Sequence, residues 1–173
     1  LSGLNFANTF GPFIQRGWAS LPTDDALRGQ HVVVLSCPDA LLTYNMFTLQ
    51  MLEETPQPRG VAMVSVQDRG APTLTRTGER TFTVRNADGQ NLGMFTPVFR
   101  AGPLLVGGRH ETNVMIVTVL ETRPADGALL AIEVELRVPL AELRFLIWRG
   151  KTGFEEVALP GLGESLALPA APL

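Results

Sequence analysis

The hydrophobic period of this chain changes once, and that change limits the folds open to it. Residues 31 to 67 read as strand, helix, strand, whereas from about residue 73 the pattern is one of short alternating strands separated by turn residues. Such a chain suits an α+β architecture, a small βαβ unit with an N-terminal helix packed on a mostly antiparallel β-sheet or partial β-barrel of about six strands. The expected organisation is residues 1–70 for the N-terminal helix and βαβ unit, 71–160 for the β-rich part, and 161–173 for a Pro-rich tail that should be poorly ordered.

His31 to Leu35 is a continuous apolar run, as expected for a strand covered on both faces. Ser36-Cys37-Pro38-Asp39 follows with capping-box spacing, so a helix should start there with Ser36 as its cap. Leu41, Leu42, Tyr44, Met46, Phe47, Leu49, Met51 and Leu52 spread around most of that helix and leave Thr43 and Gln50 as its clearest polar edge. A helix of this kind is buried on more than one side, or its outer side meets something beyond this chain. Thr55-Pro56-Gln57-Pro58 stops it, and Val61 to Val66 supplies the next strand, parallel to the first through a right-handed crossover. Upstream, Phe6, Phe10, Ile14 and Trp18 stand at helical spacing with Phe13 beside them, interrupted by Gly11 and Pro12. A helix from Pro12 to about Ser20, packed on its own domain, is the expected form, with a partner-docking aromatic segment as the alternative.

In the second part Leu74 to Val84 should fold about Thr77-Gly78-Glu79, with a further turn at Asn86-Ala87-Asp88-Gly89. Gly102, Pro103, Gly107 and Gly108 mark a loop before a strand over 113–121, and Pro124-Ala125-Asp126-Gly127 makes the next turn. Leu130, Ile132, Val134, Leu136 and Val138 then alternate with Glu133, Glu135 and Arg137, giving one core face and one wet face. Residues 144–148 and 154–159 should close the fold as a hairpin around Arg149 to Gly153.

Composition excludes more than it assigns. The net charge is −3 and the basic residues are scattered singly, which gives no reason to expect nucleic acid as a partner. One cysteine, Cys37, and two histidines, His31 and His110, rule out an internal disulfide and leave little scope for a metal site, and no cofactor is expected. No apolar run approaches the roughly 20 residues that a membrane-spanning helix needs. The first residue is Leu1 rather than Met, as expected of a processed or trimmed product.

One place is chemically suggestive. Ligands in open α/β sheets tend to bind at the carboxyl ends of strands, and here that position carries Ser36, Cys37 and Asp39 beside a helix N-terminus. A thiol so placed could be activated as a nucleophile. His31 lies six residues away at the other end of the same strand, about 20 Å off, so only His110 remains as a base. The competing reading makes Ser36 and Asp39 caps, Cys37 a small buried hydrophobe and His110 a surface residue. Glycine-rich nucleotide loops and the Gly-x-Ser-x-Gly elbow are absent, and Glu133 and Glu135, about 7 Å apart on one strand face, read as a solvated edge.

Four stretches carry a resemblance: His31 to Asp39, Thr73 to Thr81 (Thr-Leu-Thr-Arg-Thr-Gly-Glu-Arg-Thr), Phe99-Arg100 before a Gly-rich turn, and Leu143 to Trp148. Together they look like the C-terminal extramembrane region of certain uncharacterised multi-span bacterial membrane proteins, over roughly residues 30 to 160. That resemblance implies a soluble module tethered behind transmembrane helices, whose partner is its own transmembrane region or another subunit, and it brings no catalytic residues. The expected function is therefore a non-catalytic binding or interaction domain of a membrane protein. The alternatives are an enzyme, a hydrolase or transferase, with its nucleophile at Ser36 or Cys37, and a structural domain that joins subunits.

Overall fold

Val32, Val33, Val34 and Leu35 are all fully buried, because the strand that carries them has a packed layer on each face. The protein is described here from a computed structural model that covers residues 11–12, 14–52, 55–65, 70–90 and 104–170. Its elements are α1 (residues 14–19), β1 (His31–Ser36), α2 (Ala40–Met51), β2 (Gly60–Met63), β3 (Thr73–Arg76), β4 (Thr81–Gln90), β5 (Arg109–Glu111), β6 (Met115–Thr122), β7 (Leu129–Leu136), β8 (Leu143–Trp148), β9 (Phe154–Val157) and β10 (Ser165–Ala167). The fold is α+β and mostly sheet. A four-stranded sheet runs β2-β1-β8-β9, and a six-stranded, wholly antiparallel sheet runs β10-β3-β4-β7-β6-β5.

The strand period of two sorts the side chains of the smaller sheet into two cores. Val33 and Leu35 of β1, Phe145 and Ile147 of β8 and Ala62 of β2 face Phe82, Val84, Ile132 and Val134 of the larger sheet. Val32 and Val34, Leu146 and Trp148, and Phe154 face Met46 and Phe47 of α2, with Ile14 and Trp18 of α1 packed alongside. The order is helices, small sheet, large sheet. Each Val or Leu so buried contributes about 1.5–3 kcal/mol of apolar transfer, which is what holds a polar-flanked strand between two layers.

Strand pairing departs from chain order at three points, β4 with β7, β10 with β3, and β1 with β8, of which the last joins the two halves of the chain. β1 pairs in parallel with β2, after α2, and on its other edge pairs in parallel with β8. The hairpin of β8 and β9, expected to close the β-rich part, thus lies in the sheet built on β1. In β7, Ile132, Val134 and Leu136 are buried while Glu135 is exposed and Glu133 half-buried, as the alternation requires. At the start of the strand, however, the register shifts, and Leu129 and Ala131 are buried in place of the expected Leu130, which is half-buried.

Three local expectations need correction. Asn86-Ala87-Asp88-Gly89 does not reverse the chain but forms an irregularity within β4, where pairing with β7 jumps from Arg85↔Ala131 to Gln90↔Leu129. Asn86 Oδ1 accepts from the Asp88 amide at 3.1 Å, and Gly89 takes φ +77° with Ala128 Cβ only 2.9 Å from where a Cβ would stand. Local side-chain bonding made a bulge rather than a turn. The Pro-rich tail is not loose over its described part: β10 pairs with β3, the Leu168 amide donates to the Pro72 carbonyl at 2.8 Å, and Leu168 is buried. A single well-placed leucine anchors it. The helix expected from Ser36 begins instead at Ala40, since β1 continues through Ser36 and it is the Asp39 carbonyl that accepts the first helical bond, from Thr43 N at 3.0 Å. Among the expected features, Phe6, Phe10, Phe13, Val66, Phe99, Arg100, Gly102 and Pro103 lie outside the described residues.

One ion-paired hub fastens the segment before β1 to β8. Arg144 donates from Nη2 to Asp24 Oδ1 at 2.6 Å, from Nε to Gln30 Oε1 at 2.6 Å, and from Nη1 to Glu156 Oε2 at 3.5 Å. The hydrogen bond from Arg144, with its positive charge, holds the Asp24 carboxyl below its ordinary value of 3.8. A carboxyl with a depressed native pKa adds stability that is complete above the unfolded value and is lost as pH falls through the native one. Asp24→Asn should therefore lower stability at neutral pH by a small margin, the pair being solvent-accessible, and that margin should shrink below about pH 4. Urea midpoints of both proteins at pH 7 and pH 3 measure it; a constant difference at both would show that the hub does not bind Asp24 through charge.

Candidate functional site

The carboxyl end of β1 is the place the sequence singled out, and the fold brings three of the four candidate residues there. Ser36, Cys37 and Asp39 follow one another where β1 hands over to α2, and all three are buried. The Ser36 hydroxyl donates to the Pro169 carbonyl at 3.4 Å, so it caps no helix. The Cys37 amide bonds the Ser65 carbonyl at 3.1 Å, and its thiol lies 3.6 Å from that same oxygen and 3.8 Å from Met63 Sδ. His110 is on β5, an outer strand of the other sheet, opposite Val117 and exposed. The partners of the thiol are Met63 and Ser65, not a histidine.

Two physical effects act on Cys37 in opposite directions. Position near a helix N-terminus favours the thiolate by about 0.3–1 kcal/mol, whereas full burial can raise a thiol by several pK units at about 1.4 kcal/mol each. Burial prevails. Desolvation pushes the Cys37 thiol from 9.0 up to about 12, the negative charge of Asp39 adds to this, and the Thr43 hydroxyl opposes it. Since the thiolate is the reactive form, iodoacetamide should leave Cys37 untouched in the native protein between pH 7 and 9 and alkylate it fully in denaturant. Rapid native labelling with an apparent pKa below about 8.5 would instead return Cys37 to the list of nucleophiles.

The wider set of chemistry-bearing residues does not converge either. Among the described residues no three His, Cys, Asp or Glu side chains stand close enough to hold a metal ion. Glu133 and Glu135 remain on the outer face of β7. His31 is half-buried at the start of β1, with Nδ1 buried and without a hydrogen-bond partner among the described residues.

What the structure does single out is α2, whose polarity is the reverse of the expected one. Thr43 and Gln50, read as the wet edge, face inward with Met46 and Phe47, at 0% and 1% exposure. Their spacing of seven, with Met46 and Phe47 between them, defines a single helix face. Gln50 Nε2 donates to the Pro22 carbonyl at 2.7 Å, which accounts for one buried polar group. The Thr43 hydroxyl faces the Cys37 thiol without closing a hydrogen bond of normal geometry. Gln50 Oε1 has no partner among the described residues. The outer face carries Tyr44, Leu49 and Met51 at 49%, 37% and 64% exposure beside the exposed Asn45 and Thr48, and Leu52, at 76%, follows in the turn that ends the helix.

This face runs into a cleft of about 300 Å³ between α2 and β2, lined by Tyr44, Phe47, Thr48 and Met51 on one side and Gln57, Pro58 and Val61 on the other. β2 is the outermost strand of its sheet. Pro58 and Val61 had no signal of their own in the sequence, because only the crossover from α2 back to β2 sets them opposite the helix. Met51 and Leu52 did have one, in the excess of apolar residues around the helix. No helix among the described residues is long and apolar enough to cross a membrane. No protein-family model matches the chain, and no curated protein or solved structure matches it.

Proposed function

We propose that this chain is a non-catalytic interaction module of a bacterial membrane protein, and that it docks through the outer face of α2. In this reading β1, α2 and β2 act as one βαβ unit that presents the helix, and the partner is an apolar surface of the same membrane protein or of a neighbouring subunit. The carrying observation is the exposure of Met51 and of Leu52, at and just past the end of a helix that turns Thr43 and Gln50 inward. Exposed apolar side chains grouped on one element, here interleaved with the exposed Asn45 and Thr48, favour a binding surface over a purely solvated one. The rival reading, a nucleophile at the strand end, gains no support from a thiol that is buried and held protonated.

A photo-crosslinking amino acid at position 52, introduced into the protein in its source cells, tests the proposal. The expected adduct joins the chain to a polypeptide that stays with membranes after a high-salt wash. A product that washes free and forms no adduct at position 52, while remaining folded, would overturn it.

A further inference from the structure

The second cavity lies on the opposite side of the small sheet, where the two sheets part. It measures about 550 Å³, within the roughly 300–1,000 Å³ of small-molecule sites, and it opens between the end of β3 and the β8–β9 hairpin. Its apolar wall is made by Leu140, Leu143, Phe145, Val157 and Leu159, continuous with the core between the sheets. Two guanidinium groups reach it, Arg76 and Arg144, together with one carboxylate, Glu156, which is paired with Arg144 at 3.5 Å.

They are not equivalent. Arg144 is answered by carboxylates, since Asp24 and Glu156 both pair with it. Arg76 is held by carbonyl groups alone: Nε donates to Gly78 O at 3.1 Å, Nη1 to Pro160 O at 3.3 Å and Nη2 to Glu79 O at 2.8 Å. Among the described residues no carboxylate stands within ion-pair distance of it. Three carbonyls fix the plane of a guanidinium without neutralising it, and three bonds leave two of its five N–H donors unspent. A pre-oriented cation at the edge of an apolar cavity matches a carboxylate that carries a hydrocarbon body, because the planar fork suits a carboxylate and the wall suits the tail.

We propose that this cavity is a binding site for a small carboxylate with an apolar tail, its head on Arg76 and its tail against Phe145, Val157 and Leu159. The site is separate from the α2 face and does not depend on the docking role of that helix.

Titration calorimetry of the full chain with octanoate, octanol and acetate reads both halves of the site. Octanoate should bind, octanol should bind at least about tenfold more weakly for want of the charge-assisted bonds, and acetate should show no binding. Arg76→Gln should cost octanoate about the same factor and leave octanol unchanged. Because Arg76 also fixes the β3–β4 turn, Val157→Glu provides an independent variant that places a negative charge on the wall without touching those bonds, and it should abolish octanoate binding. Equal affinity for octanoate and octanol would overturn the role of Arg76. No octanoate binding at millimolar concentration, or undiminished binding to folded Val157→Glu, would overturn the site.

Discussion

Aspartate at Val33 and aspartate at Val34 are expected to be equally ruinous, although the two side chains point to opposite faces of β1. Val33 lies in the core between the sheets and Val34 in the core beneath the helices, both fully buried. An unpaired carboxylate in either place costs several kcal/mol even after relaxation, against a total stability of about 5–15 kcal/mol for a domain of ordinary size. In β7 the same period gives the opposite result. Ile132→Asp should be as damaging as either valine change, while Glu135→Gln, on the exposed face, should stay within about 0.5 kcal/mol of the native protein. Urea denaturation followed by circular dichroism measures all four, with failure to fold counted as the expected result for the three aspartates. If one of Val33→Asp and Val34→Asp folds with near-native stability, the layer on that side of β1 is not packed as described.

That contrast also shows what could be read before the fold was seen. A run of four apolar residues, Val32 to Leu35, means burial on both faces, and the alternation from Ile132 to Leu136 means burial on one; each period carries its environment within the residues themselves. Leu143 to Trp148 held the same sign as β1, with only Arg144 polar, and it is likewise an inner strand with Leu146 and Trp148 in one core and Phe145 and Ile147 in the other. Its neighbour in space was not legible. Which sheet a strand joins depends on partners more than a hundred residues away, and β1 with β8 is such a pair. On α2 the difficulty was of another kind. Where apolar residues surround a helix, their pattern has no phase, and the few polar positions become the only guide to orientation. Thr43 and Gln50 pointed the wrong way, since Gln50 turns inward with its Nε2 donating to the Pro22 carbonyl, a partner 28 residues off that no local pattern shows. At the strand end, Ser36, Cys37 and Asp39 lie together because they are near neighbours in the chain, but their burial beneath Pro169 and Ser65 is a long-range fact that no local spacing carries.

Trp148→Ala should remove about 3–5 kcal/mol, the usual range for deleting a buried large aromatic, and the loss should be felt on the helix side first. The indole is 1% exposed and meets Phe154 edge to face, with ring centres 5.1 Å apart and planes at 76°. Above it lies α1, and Gly17 marks how close: a Cβ there would stand 2.2 Å from Met46 Sδ and 3.1 Å from Trp148 Cζ3. Removing the indole therefore opens a void beneath α1, whereas Ile132 and Val134, in the other core, keep their neighbours. Amide exchange in residues 14–19 and in α2 should accelerate more than in β4 and β7. The same geometry gives a coupling with a defined sign. Gly17→Ala alone should cost at most about 1–2 kcal/mol, because the methyl must displace the flexible end of Met46 and press on Trp148 within a filled core, while alanine recovers about 1 kcal/mol of helix propensity. With alanine at position 148 the thioether can swing into the space the indole left, so the glycine change should cost less there than in the native background. Strictly additive costs would mean that α1 does not rest on the indole, and the helical layer would then owe its position to Ser20, whose hydroxyl accepts from the Phe154 amide at 2.7 Å.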